Sequence, residues 1–331
     1  MAPQTYKRTI LITGATDGIG KQLALELSAK TNENFVIIHG RSKRKCEETL
    51  EYLLHENKLG PVSSNVDYVA ADFSHLNEVC RMAEEVKLRF PRLNMFVGCA
   101  SILVPRKLKS HDGFELTLQV NHLSHYILWN SLLPVFENNA PSRILTVGSM
   151  LHTINFMDFH DSFFDDVMCE KRFYDKFAQY SRTKLMNHLA TFYIHRLLFK
   201  HGKQFQVTAN VVDADQKTDR RVSRTYNNHF NALSASESHL NAHANGIQTL
   251  ARLVENPEFA TVSGKYFDAN GKEIRKSADA GDVRLQNRLW EASKQLCNGI
   301  LFPENSNSIE TNGHTNSIQT NSIPAVINNV H

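Results

Sequence analysis

The sequence predicts an α/β chain: one doubly wound domain built on a parallel seven-stranded sheet with helices on both faces. Three observations predict it. Short apolar runs rich in β-branched residues alternate with longer segments of helical period. The runs are continuously apolar, as strands buried on both faces are. A glycine-rich turn joins the first run to the first helical segment.

The elements follow in order. Thr9–Thr13 reads as the first strand and Gly20–Lys30 as the first helix. Phe35–His39 is the second strand, Arg44–Lys58 the second helix, Val66–Ala70 the third strand and Leu76–Phe90 the third helix. Leu93–Val97 is the fourth strand, followed by a long helix over Phe114–Phe136. Ile144–Val147 is the fifth strand, and Asp175–Lys200 forms the helix after it. Val207–Val212, a helix over Asn245–Val254, and Lys265–Phe267 complete the alternation. Right-handed crossovers put every strand C-terminus on one edge of the sheet, where ligands of such folds bind. No linker interrupts the series, so residues 1–302 are expected to form a single domain.

The end of the chain differs in kind. From Pro303 to His331 there are seven Asn, four Ser and three Thr with no aromatic residue, and Thr-Asn-Ser-Ile recurs at 315–318 and 320–323. A segment so poor in apolar side chains has nothing to offset its ordering entropy, so residues 303–331 are expected to be a disordered tail.

Composition bounds the function. The chain has 331 residues, 41% of them hydrophobic, and a net charge of +3. That supports a sizeable core and excludes collagen-like and fully disordered classes. It carries no electrostatic footprint for nucleic acid. No run approaches the ~18 apolar residues of a membrane helix, and MAPQTYKRTILITG has no signal-peptide core. The expectation is a soluble cytoplasmic protein, with peripheral membrane association and homo-oligomerisation left open. Cys46, Cys80, Cys99, Cys169 and Cys297 are scattered, odd in number and without a C-x-x-C pair, so they read as reduced thiols. The 16 histidines show no metal-ligand spacing.

The turn reads Thr13-Gly14-Ala15-Thr16-Asp17-Gly18-Ile19-Gly20. Gly14 permits the tight turn, Gly18 lets backbone approach a pyrophosphate, and Gly20 allows close contact of helix and strand. The unpaired N–H groups of the new helix then face an anion. The spacing is G-x-x-x-G-x-G and not G-x-G-x-x-G, so an ordinary βα turn is the competing reading. After the second strand the chain runs His39-Gly40-Arg41-Ser42-Lys43-Arg44-Lys45, with no acid for a ribose 2′-hydroxyl and four cations instead. That favours NADP over NAD, with Arg41 the candidate for the 2′-phosphate. A solvated basic helix start is the alternative. Asp72, after the third strand, suits either the adenine amino group or a cap for the helix beginning near Ser74.

Tyr180-Ser181-Arg182-Thr183-Lys184 lies in a helical stretch, so Tyr180 and Lys184 share a face. A phenol with an ordinary pKa of about 10 is a poor base at neutral pH. Lowering it to ~7 takes about 4 kcal/mol of preference for the phenolate, which one ammonium at ~4 Å supplies at an effective dielectric of ~20. The pair is a candidate proton-transfer unit. Tyr-x-x-x-Lys alone is common on helices. Here it is joined by Ser149, at the ligand edge after Val147-Gly148, and by Asn121 in the upstream helix. Ser149 suits a hydrogen bond to a substrate oxygen. Asn121 suits holding a backbone carbonyl and a water that relays protons to Lys184.

Together these pieces carry a resemblance. Thr13–Gly20, Asp72, Val120-Asn121-His122-Leu123-Ser124-His125, Ser149, Tyr180–Asn187, Ser263–Phe267 and Leu289–Ser293 run in one order over roughly residues 7–300. The chain resembles the short-chain dehydrogenase/reductases, in the branch of the retinol dehydrogenases and the WW-domain oxidoreductases. The resemblance implies a Rossmann-type fold and an NADP-dependent enzyme acting on CH–OH donors. It implies Asn121, Ser149, Tyr180 and Lys184 as the catalytic tetrad, and Gly14, Asp17, Gly18, Ile19, Gly20, Arg41, Asp72, Tyr180, Lys184 and Thr218 as the cofactor-binding set. Tyr180 would be the acid/base, Lys184 would also hold the nicotinamide ribose, Ser149 would polarise the carbonyl and Asn121 would serve the proton relay.

Two departures stand against the family pattern. Gly98-Cys99-Ala100-Ser101 replaces Asn-Asn-Ala-Gly, removing two amides that brace the sheet beside the cofactor. Asp213-Ala214-Asp215 replaces Pro-Gly after the sixth strand, while Thr218 is retained. They motivate a competing reading, a non-catalytic NADP-binding scaffold or redox sensor of the same fold. On the substrate side, Phe156, Met157, Phe159, Phe163 and Phe164 suit an apolar wall for a small lipophilic alcohol or carbonyl compound, such as a retinoid or steroid. Plain packing of that segment on the domain is the alternative. Residues 219–243 are polar and read as a mobile lid. His152 reads as pocket-lining or hydrogen-bonded and not as a base.

Overall fold

The computed structural model describes residues 6–59, 65–153, 164–203, 206–214 and 237–301. The predicted apolar runs are strands: β1 (Arg8–Thr13), β2 (Asn34–Gly40), β3 (Val66–Ala70), β4 (Met95–Gly98), β5 (Ser142–Val147), β6 (Val207–Val212) and β7 (Tyr266–Phe267). They form one sheet in the order β3-β2-β1-β4-β5-β6-β7, and every pairing is parallel. The order reverses between β1 and β4, which pair with Thr13 opposite Gly98. This is the switch point where a crevice opens beyond the strand ends.

The strand pleat sends alternate side chains to opposite faces. Ile10, Ile12, Val36 and Ile38 pack with Leu23, Leu27, Leu53, Leu250 and Val254 from α1 (Gly18–Ser28), α2 (Lys43–Glu56) and a late helix, α7 (Glu237–Glu255). Leu11, Ile37, Phe96, Ile144 and Val211 pack on the other face. There they meet α3 (Leu76–Arg89), α5 (Ser124–Asn138), α6 (Lys176–Lys200) and α9 (Val283–Leu301), the last preceded by the short α8 (Ala278–Gly281). Burying each such Ile or Leu contributes roughly 1.5–3 kcal/mol. Continuous apolar strands are thus the direct consequence of two helix layers.

Three elements differ from expectation. The long helix over Phe114–Phe136 is broken. A one-turn α4 (Leu116–Leu118) runs through a π-helical turn, Gln119–Leu123, before α5 begins. The buried Glu115 carboxylate starts it by accepting the amides of Thr117 (2.9 Å) and Leu118 (2.7 Å). Helix α7 begins at Glu237, well before Asn245, so the end of the polar stretch read as a lid is helical. Helix α9 was foreseen only as a matching segment, yet Leu289, Trp290 and Cys297 from it enter the core. All five cysteines are free. No helix among the described residues is long and apolar enough to cross a membrane. The Asn-rich tail and its expected disorder lie outside the described residues.

Candidate active site

Helix α6 is capped by Asp175, whose carboxylate accepts the Ala178 amide at 2.7 Å. Its next turns bring Tyr180 and Lys184 to one face. The ammonium sits 5.5 Å from the centre of the Tyr180 ring. Both side chains are buried, and Tyr180 packs with Leu151, Leu103 and Phe177. Lys184 Nζ donates to the Val147 carbonyl at 3.0 Å, which ties α6 to the end of β5. Ser149 follows two residues on. Its hydroxyl oxygen accepts the Leu151 amide at 3.2 Å, which leaves the hydroxyl hydrogen for another acceptor.

Asn121 lies inside the π-helical turn, a local widening that often marks functional positions. Its amide clamps both backbone groups of Ile102, accepting from the N–H at 2.7 Å and donating to the carbonyl at 3.0 Å. The same amide group donates to Thr183 Oγ1 at 3.0 Å, and Thr183 donates to the Tyr180 carbonyl at 2.8 Å. The Asn121 carbonyl accepts from Asn187 Nδ2 (2.9 Å) and His125 Nδ1 (3.0 Å). Asn121, Ser149, Tyr180 and Lys184 are thus brought together at the ends of β4 and β5.

The missing amides at Gly98–Ser101 are compensated. Thr13 Oγ1 accepts the amides of Cys99 (3.0 Å) and Ala100 (3.1 Å). His125 Nδ1–H is committed to a carbonyl, so its Nε2 takes the Thr13 hydroxyl hydrogen at 2.9 Å. Burial pushes the pKa of His125 down to about 3, which keeps this neutral tautomer. The Cys99 thiol, also desolvated, is pushed up to about 12 and stays protonated. Histidine 122 spans Asn187 Oδ1 (3.2 Å) and Ser293 Oγ (2.8 Å), linking α9 to the same network.

The glycine turn is built for close approach. Gly14 has φ +66°, and a Cβ there would lie 2.7 Å from Ala100 Cα. Gly18 has φ +57° with open space on its side-chain face. A Cβ on Gly20 would lie 2.5 Å from the Gly14 carbonyl oxygen, so Gly20 keeps α1 tight on the turn itself. Asp17 caps α1 by accepting the Gly18 amide at 2.8 Å, and Ile19 packs against the core. His39 was not foreseen. Its Nδ1 accepts the Gly14 amide (3.2 Å) and its Nε2–H meets the Ala71 carbonyl (3.0 Å), so one imidazole joins the ends of β1, β2 and β3. Burial holds its pKa near about 4.

Around the turn, Lys43 and Arg44 are paired along α2 with Glu47 (3.7 Å) and Glu48 (3.1 Å). Arg41 and Lys45 are exposed and make no ion pair among the described residues. Asp72 accepts the Ser74 amide at 2.9 Å in the turn before α3 and does not cap that helix, whose Leu76 amide is taken by Asp112 at 2.7 Å. Asp213 is buried and accepts a hydrogen bond from the Tyr266 hydroxyl at 3.3 Å. Phe164 packs partly buried on the core beneath the Arg288 guanidinium, 4.4 Å from its ring centre. His152 is hydrogen-bonded, donating from Nδ1 to the Ser149 carbonyl at 2.7 Å. Thr218, Asp215, Phe156, Met157, Phe159 and Phe163 lie outside the described residues.

Asn187, Thr183, His125, His122 and His39 stand in the matched or quoted segments of the sequence but have no role assigned from sequence. The first two sit at helical spacing from Tyr180 and Lys184, a signal that was there to use. His125 likewise sits four residues from Asn121, whose carbonyl it bonds, whereas the partners of His122 and His39 are distant in the chain.

Comparison with known proteins places the chain in a family. Residues 8–159 match the short chain dehydrogenase family. The chain is 32% identical over 310 residues to retinol dehydrogenase 14 of Homo sapiens, covering 89% of this chain and 88% of that protein. It is 27% identical to the WW domain-containing oxidoreductase of Homo sapiens, covering 87% of this chain and 68% of that one. Among solved structures, the NADP complex of RhlG from Pseudomonas aeruginosa superposes with a TM-score of 0.56 at 21% identity, over 82% of this chain and 98% of that one. Fold, site order and relatives agree: the chain belongs to the short-chain dehydrogenase/reductases, a family of NAD(P)-binding oxidoreductases.

Proposed function

We propose that this protein interconverts an alcohol and a carbonyl on a small lipophilic substrate, a retinoid, steroid or similar molecule, with NADP as cofactor and Tyr180 as the acid/base. The observation that carries the reading is the buried Tyr180–Lys184 pair on one face of α6, anchored through Lys184 to Val147 beside Ser149. The substrate class rests on the likeness to retinol dehydrogenase 14.

The residues present fit the cofactor. Gly14, Gly18 and Gly20 hold a turn that only glycines fill, with open space at Gly18 and the amides of Ile19 and Gly20 at the head of α1 for the pyrophosphate. Asp17 holds that head in place, and Asp72 lies at the adenine end. Arg41, exposed and without an ion pair, would take the 2′-phosphate. Thr218 is assigned to the cofactor on the family resemblance alone, and Lys184 would hold the ribose. When bound, the cofactor supplies or accepts the hydride.

The chain's own residues move the proton and orient the substrate. In reduction, Tyr180 gives its phenolic proton to the carbonyl oxygen; in oxidation, it removes the proton of the alcohol. The Lys184 charge beside the ring stabilises the phenolate. Ser149 donates its hydroxyl hydrogen to the same substrate oxygen. Asn121 fixes Ile102 against the Thr183 turn, so the backbone around Tyr180 holds still while the proton moves.

We take residues 1–302 as the working domain, with residues 303–331 outside it. We take the protein to be cytoplasmic, on the strength of its five free thiols. The buried Asp213 where the family carries proline favours one second reading, an NADP-binding scaffold without turnover. A screen of NADPH oxidation against lipophilic aldehydes and ketones separates the two. Turnover with any of them supports the enzyme. Binding of NADPH without oxidation across the panel supports the scaffold.

A further inference from the structure

Behind the active-site face of α6 lies a pair of histidines with no part in the chemistry above. His188 follows Lys184 by four residues, so Tyr180, Lys184 and His188 form one stripe. His188 is fully buried, and among the described residues neither ring nitrogen has a hydrogen-bond partner. Its ring stacks on His152 with centroids 3.8 Å apart and planes 25° apart. Tyr266 closes the pair edge-on, 5.4 Å from His152 and 4.8 Å from His188, and Phe192 meets His188 edge-on at 6.2 Å.

A buried polar ring without hydrogen bonds costs roughly 1–3 kcal/mol for each unmet group, so core stability does not explain a histidine at this position. Its contacts do. A Cβ on Gly148 would lie 2.4 Å from His188 Nε2, so the ring rests on the bare backbone between Val147 and Ser149. Its face presses on His152, which grips the Ser149 carbonyl twice, through its backbone N–H at 3.1 Å and through Nδ1–H at 2.7 Å. This double grip closes the turn Met150–Thr153 and sets the path by which the chain leaves β5 at Ser149.

We propose that His188 is a positioning residue for Ser149, a clamp that holds the His152 ring so that its Nδ1–H stays on the Ser149 carbonyl and the Ser149 hydroxyl stays aimed at the substrate oxygen. The inference rests on the reading of Ser149 as the donor to that oxygen. Both rings must be neutral for the clamp to work. Burial lowers the pKa of each; Lys184 on the same helix lowers that of His188 further, while Asp279 from α8 acts on His152 in the opposite sense. From β7, Tyr266 faces the pair edge-on, with its hydroxyl donated to Asp213 just beyond β6. His152 Nε2 has no partner, so only the Nδ1–H tautomer satisfies the ring.

The test reads the tautomer directly, by long-range proton–nitrogen NMR of the full chain with labelled histidine, beside kcat and KM in the NADPH oxidation assay. Wild type should show His152 protonated at Nδ1; protonation at Nε2 would overturn the clamp without any variant. His188→Phe, which keeps an aromatic face on His152, should keep that signal and most of kcat. His188→Leu should lose the signal and lower kcat on the order of tenfold, with cofactor affinity and melting temperature near wild type. An unchanged His152 signal in His188→Leu, or equal kcat losses in Leu and Phe, would overturn it. Ser149→Ala is run in parallel. Full turnover there sinks the role of Ser149, while a His152 signal that still depends on residue 188 upholds the clamp.

Discussion

Lys184 donates a hydrogen bond from its ammonium to the Val147 carbonyl at 3.0 Å, and this contact fixes the proton-transfer helix to the strand that delivers Ser149. Residues 37 positions apart in sequence are thereby held at one sheet edge. The chemistry proposed for the site depends on that register, and each of its parts can be tested separately.

Tyr180→Phe keeps the ring, its packing against Leu151 and the Lys184 contact, and removes only the hydroxyl. Turnover should fall at least ~100-fold, the span of general acid–base catalysis. NADPH binding, followed by fluorescence titration, should stay within about twofold. Wild-type turnover in the variant would remove Tyr180 from its role.

Arg41 should set cofactor choice. NADPH should raise the melting temperature more than NADH at equal concentration. Arg41→Ala should weaken NADPH binding by roughly 10- to 100-fold, the worth of a lost charge-assisted hydrogen bond of ~1.5–3 kcal/mol, and leave NADH unchanged. Equal shifts with the two nucleotides in wild type would contradict the assignment.

Gly20→Ala pushes a methyl to 2.5 Å from the Gly14 carbonyl, a backbone atom that cannot swing away. The turn must open or α1 must retreat. Either loosens the amide cradle, so dinucleotide affinity should drop by about tenfold or more with a melting temperature lowered by several degrees. Isothermal titration checks the first and a thermal melt the second.

Acid should destabilise the fold before carboxylates matter. His39 and His122 are held near about 4 and His125 near about 3 by burial, below the ordinary value of 6.5. A depressed folded pKa means that the neutral form is favoured in the native state. The stabilisation is therefore complete above the unfolded value of ~6.5 and is lost as pH falls toward the folded values. Each histidine contributes up to ~1.4 kcal/mol per pH unit in that window. Guanidinium melts at pH 7 and pH 5 should show the loss, and equal stabilities at the two would contradict it.

Removing residues 303–331 should leave the melting temperature within a degree or so, because the last core side chains, Leu289, Trp290 and Cys297, precede the cut. A lowered melt would show that the tail packs on the domain.

The alternation of apolar runs and helical periods determined the α/β architecture and the parallel sheet, because burial of a strand on both faces writes itself into consecutive residues. The glycine turn and the Tyr180–Lys184 pair were equally legible, since φ > 0 at Gly14 and a four-residue helical spacing are local matters. The tertiary structure alone decided the rest. It breaks the helix at Gln119–Leu123 to turn Asn121 onto Ile102 and Thr183, 62 residues away. It answers the missing turn amides with Thr13 and His125, 112 residues apart, and stacks His188 on His152 behind Ser149. Those contacts follow from how the layers pack on the sheet, and a side chain's own neighbours in sequence hold no record of the partner that packing will bring to it.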